Sequence, residues 1–423
     1  VSRLRVFLGK AGVLRPFSGV PGFAVFFGVL LVLLGVLSPA FAVTGMASVQ
    51  QEGRTLLVDR ASEGSSEGSL GVHPLEGLRL EEILEDVPGM ENLAGGMSVA
   101  VNVPGASLWT DALGFADEST GDLFRTDDVS YAASITKTFV SVMVLQLMEE
   151  GKIELDVVVS EYLEGVPYGD QITVRQLLQH TSGLVDYAEA SLFSTPTFSL
   201  TPLYLAYLFP EMAGDPADVL EIAARSPLLF PPGSGWSYSN TNYVVLGLLV
   251  EAITGNALAE ELAARITGPL GLDHTVIART SDDPVVRVVP HYHEDDPDVY
   301  KRIRRAPTAL LSVVGAAGAL VSTSTDLVGF FDALVVGDLL LPETREEMFR
   351  GVPIFSDVLY GLGVMIKEEG EDVIFHTGGF PGYGSVAAYH KPSGVTVSVL
   401  LNDSKLFPYA PLTALLDAIQ KAS

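Results

Sequence analysis

The 423-residue sequence predicts an α+β fold, in which one antiparallel sheet carries helices and an all-helical insertion separates its early and late strands. Three observations predict it. Strand patterns occur at 96–115 and return only after about 360. Between them, roughly 153–307, the pattern is mostly helical and broken by Pro and Gly. A long, nearly all-apolar run, Thr138–Met148, reads as a helix too hydrophobic for a surface element.

In order, Leu75, Leu78, Leu80, Ile83 and Leu84 give a short amphipathic helix. Gly96–Val103 and Ser107–Phe115 read as two strands of a hairpin turning at Pro104-Gly105. The apolar helix behind Ser134 stops at Gly151, a plausible C′ residue. Val174–His180 is a second, short helix, and Tyr243–Thr254 a third. Late strands are expected at Tyr360–Lys367, Val373–His376, Gly384–His390 and Gly394–Leu401, the last alternating at Val395, Val397, Val399 and Leu401. A helix over Pro411–Ala422 closes the chain, and no internal repeat is visible.

Composition bounds the function. With 48% hydrophobic residues the chain is globular, and a net charge of −27 argues against nucleic acid and anionic lipid, both of which need a basic footprint. No cysteine is present, so disulfides, thiolate metal sites and a cysteine nucleophile are excluded. Arg3, Arg5, Lys10 and Arg15 precede an apolar run centred on Phe23–Leu37 and an A-x-A pattern at Ala40-Phe41-Ala42. Residues 1–42 therefore read as a signal peptide, the alternative being an uncleaved membrane anchor. Either reading puts the body outside the cytoplasm: secreted, periplasmic or at the cell surface. Residues 43–74, with Glu63-Gly64-Ser65-Ser66-Glu67-Gly68-Ser69, form a flexible linker, leaving 75–422 as the folded domain.

Three stretches carry chemistry. In Ser134-Ile135-Thr136-Lys137 a hydroxyl and an amine lie three residues apart at a helix mouth, where i and i+3 share a face. Unpaired N–H groups and the positive end of the helix dipole there favour an alkoxide and a neutral amine, the requirements of a nucleophilic serine with a lysine base. In Tyr238-Ser239-Asn240, residues i and i+2 of an extended segment point one way, so Tyr238 and Asn240 can face one cavity. A phenol beside a cationic lysine would have a lowered pKa and relay protons; the alternative is a capping turn before Tyr243. His376-Thr377-Gly378-Gly379 follows a strand, and glycine there lets a substrate approach backbone N–H groups; the alternative is a plain hairpin turn.

Together, in this order, Ser134-Ile135-Thr136-Lys137, Tyr238-Ser239-Asn240 and His376-Thr377-Gly378 match S-x-x-K, Y-x-N and [KH]-[TS]-G. On these residues the chain resembles the penicillin-recognising serine hydrolase superfamily: class C β-lactamases, serine D-Ala-D-Ala carboxypeptidases and related esterases. Leu177–Leu184 and Gly318–Thr323 agree, and the likeness covers about Leu75 to Ala422. The resemblance implies the β-lactamase/transpeptidase-like fold and an acyl-serine intermediate at Ser134. It implies that Lys137 and Tyr238 move protons, either being the general base. It also implies that Asn240 orients Lys137 and binds substrate, and that the N–H groups of Ser134 and Gly379 form an oxyanion hole. His376, Thr377 and Gly378 would complete substrate binding.

His376 stands where many β-lactamases carry Lys. A mostly neutral imidazole captures a substrate carboxylate weakly, so carboxypeptidase-like or esterase-like activity is expected ahead of β-lactamase activity, and ahead of a non-catalytic wall-binding role. The expected partner is a small-molecule or peptide substrate (acyl-D-Ala-D-Ala, a β-lactam or an ester), with no nucleic acid, no cofactor and no metal. His291-Tyr292-His293-Glu294-Asp295-Asp296 reads as an acidic loop, and Lys301-Arg302-Ile303-Arg304-Arg305 as a solvated basic segment. His180 is expected to be structural, packed beneath the site. Trp236 and Tyr383 are candidates for the pocket lining, and Tyr187–Phe230 for its walls.

Overall fold

The computed structural model describes residues 73–188, 218–278, 314–368, 372–380, 382–403 and 406–422, with the pieces 193–195 and 198–200 and the single residues 288 and 311. The expected export segment, most of the linker, His291–Asp296 and Lys301–Arg305 lie outside the described residues.

The described strands, in chain order, are β1 (Gly96–Asn102), β2 (Trp109–Asp117), β3 (Asp122–Leu123), β4 (Ser130–Ala133), β5 (Phe193–Thr195), β6 (Phe198–Leu200), β7 (Val276–Ile277), β8 (Leu320–Ser322), β9 (Val352–Pro353), β10 (Val358–Tyr360), β11 (Met365–Lys367), β12 (Val373–Phe380), β13 (Tyr383–His390) and β14 (Val395–Leu401). Nine of them form one sheet in the order β3-β2-β1-β14-β13-β12-β11-β10-β9. First and last strands meet as expected, with Val99 opposite Val399 in an antiparallel ladder. A smaller sheet, β4-β8-β7, leads into Ser134 at the end of β4. β5 and β6 form a two-stranded ladder of their own, Phe193 opposite Leu200.

The described helices are α1 (Leu80–Leu84), α2 (Thr136–Glu149), α3 (Val174–Leu178), α4 (Asp218–Ala224), α5 (Asn240–Thr254), α6 (Leu258–Leu262), α7 (Gly268–Leu270), α8 (Ser324–Val335), α9 (Pro342–Met348) and α10 (Tyr409–Ala422). The segment between β4 and β8 holds six of these described helices but also β5, β6 and β7, so the insertion expected over 153–307 is not all-helical: Phe193 pairs with Leu200 and Val276 with Val321.

The period-2 pattern of β14 decides the layering. Val395, Val397, Val399 and Leu401 face one apolar cluster with Leu80 and Leu84 of α1 and Leu412, Leu415 and Ile419 of α10. Each of these buried aliphatic side chains contributes about 1.5–3 kcal/mol relative to exposure. Leu400 faces the other cluster, where α2, α5 and α8 pack. There α2 is buried on nearly every side from Thr136 to Leu145, as its uninterrupted apolar sequence requires.

Two expected elements differ. Tyr360–Lys367 is not one strand: β10 and β11 are separate, turning through Gly363 at φ +83. A Cβ at Gly363 would lie 2.0 Å from Ser141 Oγ on α2, so the chain turns there with glycine and nothing larger. The glycine pair after His376 does not follow a strand, because β12 runs through it to Phe380.

Candidate active site

The site is built where α2 leaves β4. Ala133 holds φ +48, the left-handed region, which costs a non-glycine residue of order 1–3 kcal/mol. Surrounding hydrogen bonds fix that kink. Thr136 Oγ1 donates to Ala133 O at 2.5 Å, Ser385 Oγ of β13 donates to Ala132 O at 2.7 Å, and the Leu320 N–H of β8 donates to Thr136 Oγ1 at 3.0 Å. Ser134 lies in the turn ahead of the helix, whose Lys137 N–H donates to Ser134 O at 3.0 Å. The turn keeps the expected spacing: Lys137 Nζ is 3.0 Å from Ser134 Oγ.

Lys137 Nζ also donates to Asn240 Oδ1 at 2.8 Å and to Ala317 O at 2.6 Å. Both partners only accept. A neutral amine has two N–H donors and one lone pair, so these acceptors take its protons and the lone pair is left for the Ser134 hydroxyl. Burial supplies the neutral form, lowering Lys137 from 10.5 to about 7 against the opposing pull of the Asp186 carboxylate.

Tyr238 overturns one expectation. Its hydroxyl is hydrogen-bonded to Ser134, but burial pushes the phenol well above its ordinary value instead of lowering it. The lysine ammonium that was to stabilise a phenolate is itself disfavoured by the same burial, although Nζ lies 4.8 Å from the Tyr238 ring centre. Burial thus holds Tyr238 at Ser134 as a protonated phenol and not as a phenolate.

The third motif divides. Gly379 and Ser134 line one small cavity with Asn240, Tyr187, Ala317 and Phe380. Gly378 is pressed against β4, where an added Cβ would lie 2.2 Å from both Ala132 O and Ser385 Oγ, so glycine is required for the strand to pass this close to β4. Thr377 is partly exposed between the two. His376 is fully buried, and its ring is occupied on both sides. Nδ1 lies 2.6 Å from Thr377 O and must donate to it. Nε2 therefore accepts from the Tyr360 hydroxyl at 3.1 Å.

That hydroxyl continues to His180. Ser239 N–H donates to His180 Nδ1 at 3.1 Å, so the His180 proton is on Nε2 and is donated to Tyr360 at 3.2 Å. Backbone groups at both ends thus set the direction of the whole His180–Tyr360–His376 wire. It ties the Tyr238 loop to β12. Burial lowers both imidazoles, His376 to about 3, so the wire is neutral. His180 is structural, as expected. His376 holds the site's walls together and presents no ring nitrogen to a substrate. Trp236 packs edge-on to His180 and beside Tyr360 of this wire, and Tyr383 packs on Tyr131 with its hydroxyl donating to Val288 O at 2.9 Å.

Motif reading missed Asp186. Its Oδ2 accepts from Asn240 Nδ2 at 2.8 Å and its Oδ1 from Ala188 N–H at 2.9 Å, behind the cavity wall at 8% exposure. The available signal was a carboxylate within an otherwise apolar stretch, Gly183-Leu184-Val185-Asp186-Tyr187. Tyr187 and Ala188 line the cavity, while much of the remaining expected wall, up to Phe230, lies outside the described residues.

The chain is similar to several known proteins. Penicillin-binding protein 4* of Bacillus subtilis (strain 168) is 27% identical over 297 residues, which span 67% of the chain and 62% of that protein. Esterase EstB of Burkholderia gladioli is 27% identical over 314 residues, 64% of the chain and 73% of the esterase. Among solved structures, D-amino acid amidase from Ochrobactrum anthropi SV3 superimposes with a TM-score of 0.69 at 25% identity, covering 81% of the chain and 98% of the amidase. The sequence profile described as Beta-lactamase matches residues 85–421, and with Ser134 poised against Lys137 the chain belongs to that family of serine hydrolases.

Proposed function

We propose that the protein is an exported serine hydrolase that cleaves an ester or amide through an acyl-enzyme on Ser134, with carboxypeptidase-like or esterase-like specificity. The observation that carries the reading is the lysine lone pair, left for the serine by two obligate acceptors. Ser134 Oγ attacks the carbonyl carbon as its proton passes to Lys137. The oxyanion is held by the N–H groups of Ser134 and Gly379, each such donor being worth about 3 kcal/mol in the transition state. Collapse expels the alcohol or amine, which takes its proton from the Lys137–Tyr238 pair. Water then attacks the acyl-serine by the reverse proton path.

The neutral, enclosed His376 favours this reading over a potent β-lactamase, because no imidazolium is offered to a substrate carboxylate. The named relatives include a penicillin-binding protein, an esterase and a D-amino acid amidase, which is consistent with ester and amide chemistry. Export rests on residues 1–42 alone.

The test is labelling with an alkyl fluorophosphonate followed by mass mapping, then a panel of p-nitrophenyl esters, a D-Ala-D-Ala peptide and nitrocefin. A single adduct on Ser134, absent from Ser134→Ala, is expected, with ester or peptide turnover exceeding nitrocefin turnover. An adduct elsewhere, or one that survives Ser134→Ala, defeats the acyl-serine reading, and dominant nitrocefin turnover defeats the specificity. Fusion of residues 1–42 to a reporter active only outside the cytoplasm checks export.

A further inference from the structure

Asn240 has two faces that differ only by rotation of its amide, and the chemistry of the site depends on which faces the lysine. With Oδ1 toward Lys137, the amide takes one amine proton and the lone pair remains for Ser134. Turned over, its NH₂ would donate to that lone pair and compete with the serine hydroxyl. The lysine cannot choose between these arrangements by itself, because Ala317 O binds only one of its protons. The choice is made on the far side of Asn240, where Nδ2 meets a carboxylate oxygen of Asp186 at 2.8 Å. An ionised carboxylate accepts and cannot donate, so it takes a proton from the amide in the productive orientation and would face the amide oxygen in the other. The other Asp186 oxygen accepts the Ala188 N–H, which holds the carboxylate itself in place.

We propose that Asp186 is a positioning residue for acyl transfer, setting the orientation of the Asn240 amide and through it aiming the Lys137 lone pair at Ser134. This rests on the hydrolase reading above. Asp186 does not touch Ser134, and its hydrogen bond to the site is made through Asn240. It has a second, opposing effect. Of the groups around Lys137, namely Asp186, His180, His376, Tyr238 and Tyr243, Asp186 is the one whose charge favours the ammonium, whereas the two histidines disfavour it. Removing the carboxylate therefore has two signatures: fewer well-aimed lone pairs at high pH, and an amine that loses its proton at lower pH.

The experiment measures the second-order rate of Ser134 labelling by an alkyl fluorophosphonate against pH, for the intact chain, Asp186→Ala and Asp186→Asn. In this reaction the serine oxygen bonds to phosphorus, fluoride leaves and the serine proton passes to Lys137. Both variants are expected to show the acid limb at lower pH than the unaltered protein, and Asp186→Ala a plateau reduced by about tenfold or more, the loss of one aligned hydrogen bond in the transition state. A loosened, hydrated site would do the opposite, since the lysine would return toward its ordinary value and the limb would rise. The proposal is overturned if the limb stays in place or moves up, or if the Asp186→Ala plateau stays within twofold. Should Asp186→Ala fail to fold, Asp186→Asn decides on the limb alone. An unaltered protein that does not label at Ser134 defeats the hydrolase reading and this inference with it; labelling with unmoved profiles in the variants defeats the inference only.

Discussion

Replacing Tyr360 by Phe deletes one oxygen at the centre of the buried wire and strands two imidazole nitrogens. His180 Nε2–H loses its acceptor and His376 Nε2 loses its donor. All three residues are fully buried, so water does not replace the hydroxyl. Each buried polar group left unpaired costs about 1–3 kcal/mol, while the new Phe is spared the cost of burying a hydroxyl; the net loss is about 2–4 kcal/mol. At about 2–4 °C per kcal/mol the melting temperature should fall by roughly 5–15 °C. The wire joins the Tyr238 loop to the strand of Gly379, so kcat should fall with little change in KM, the ground-state contacts being made by other residues. Urea unfolding monitored by tryptophan fluorescence, with steady-state kinetics on a p-nitrophenyl ester, measures both quantities. A stability change below about 0.5 kcal/mol at unchanged m-value would refute the hydrogen-bond directions assigned here. A rise in KM confined to carboxylate-bearing substrates would instead show that the His376 ring faces the substrate.

The pH dependence of acylation should follow Lys137, with the rate rising through about pH 7 as the amine becomes neutral and levelling above it; a limb near pH 10 would refute the buried-amine base. Stability should move the same way. The unfolded lysine keeps its proton up to about its ordinary 10.5 while the folded one releases it near 7, so between these values stability rises with pH, and below 7 this contribution is flat. Urea midpoints across that window check it, Lys137→Met serving as the reference that lacks the slope. The adjacent glycines should differ sharply on substitution. Gly378→Ala drives a methyl to 2.2 Å from Ala132 O and should lose both fold stability and activity, whereas Gly379→Ala meets nothing within 4 Å and should fold normally. Circular dichroism melts separate the two, and equal destabilisation would argue against the strand placement.

Much of the site was legible because its chemistry is local. The three-residue spacing of Ser134 and Lys137 survives in the turn ahead of α2, and the alternation of Val395, Val397, Val399 and Leu401 fixes which face of β14 meets α1 and α10. The apolar run behind Lys137 likewise announced a helix buried on nearly all sides. The pairing of β1 with β14 followed from the order of strands, helices and strands.

Protonation states were not legible, since they depend on how much water the folded chain excludes. A phenol near a lysine reads as acidic in sequence, yet the same burial that raises Tyr238 also disfavours the lysine's charge. His376 reads as a substrate ligand until Tyr360, sixteen residues earlier, is seen to occupy its Nε2. Asp186 belongs to no short pattern, because its meeting with Asn240 spans 54 residues and exists only once α5 is packed. Residue types and spacing thus determined the Ser134–Lys137 pair and the sheet that carries it. Tertiary packing decided which groups are charged and which way each proton points, because desolvation and long-range hydrogen bonds belong to the folded chain.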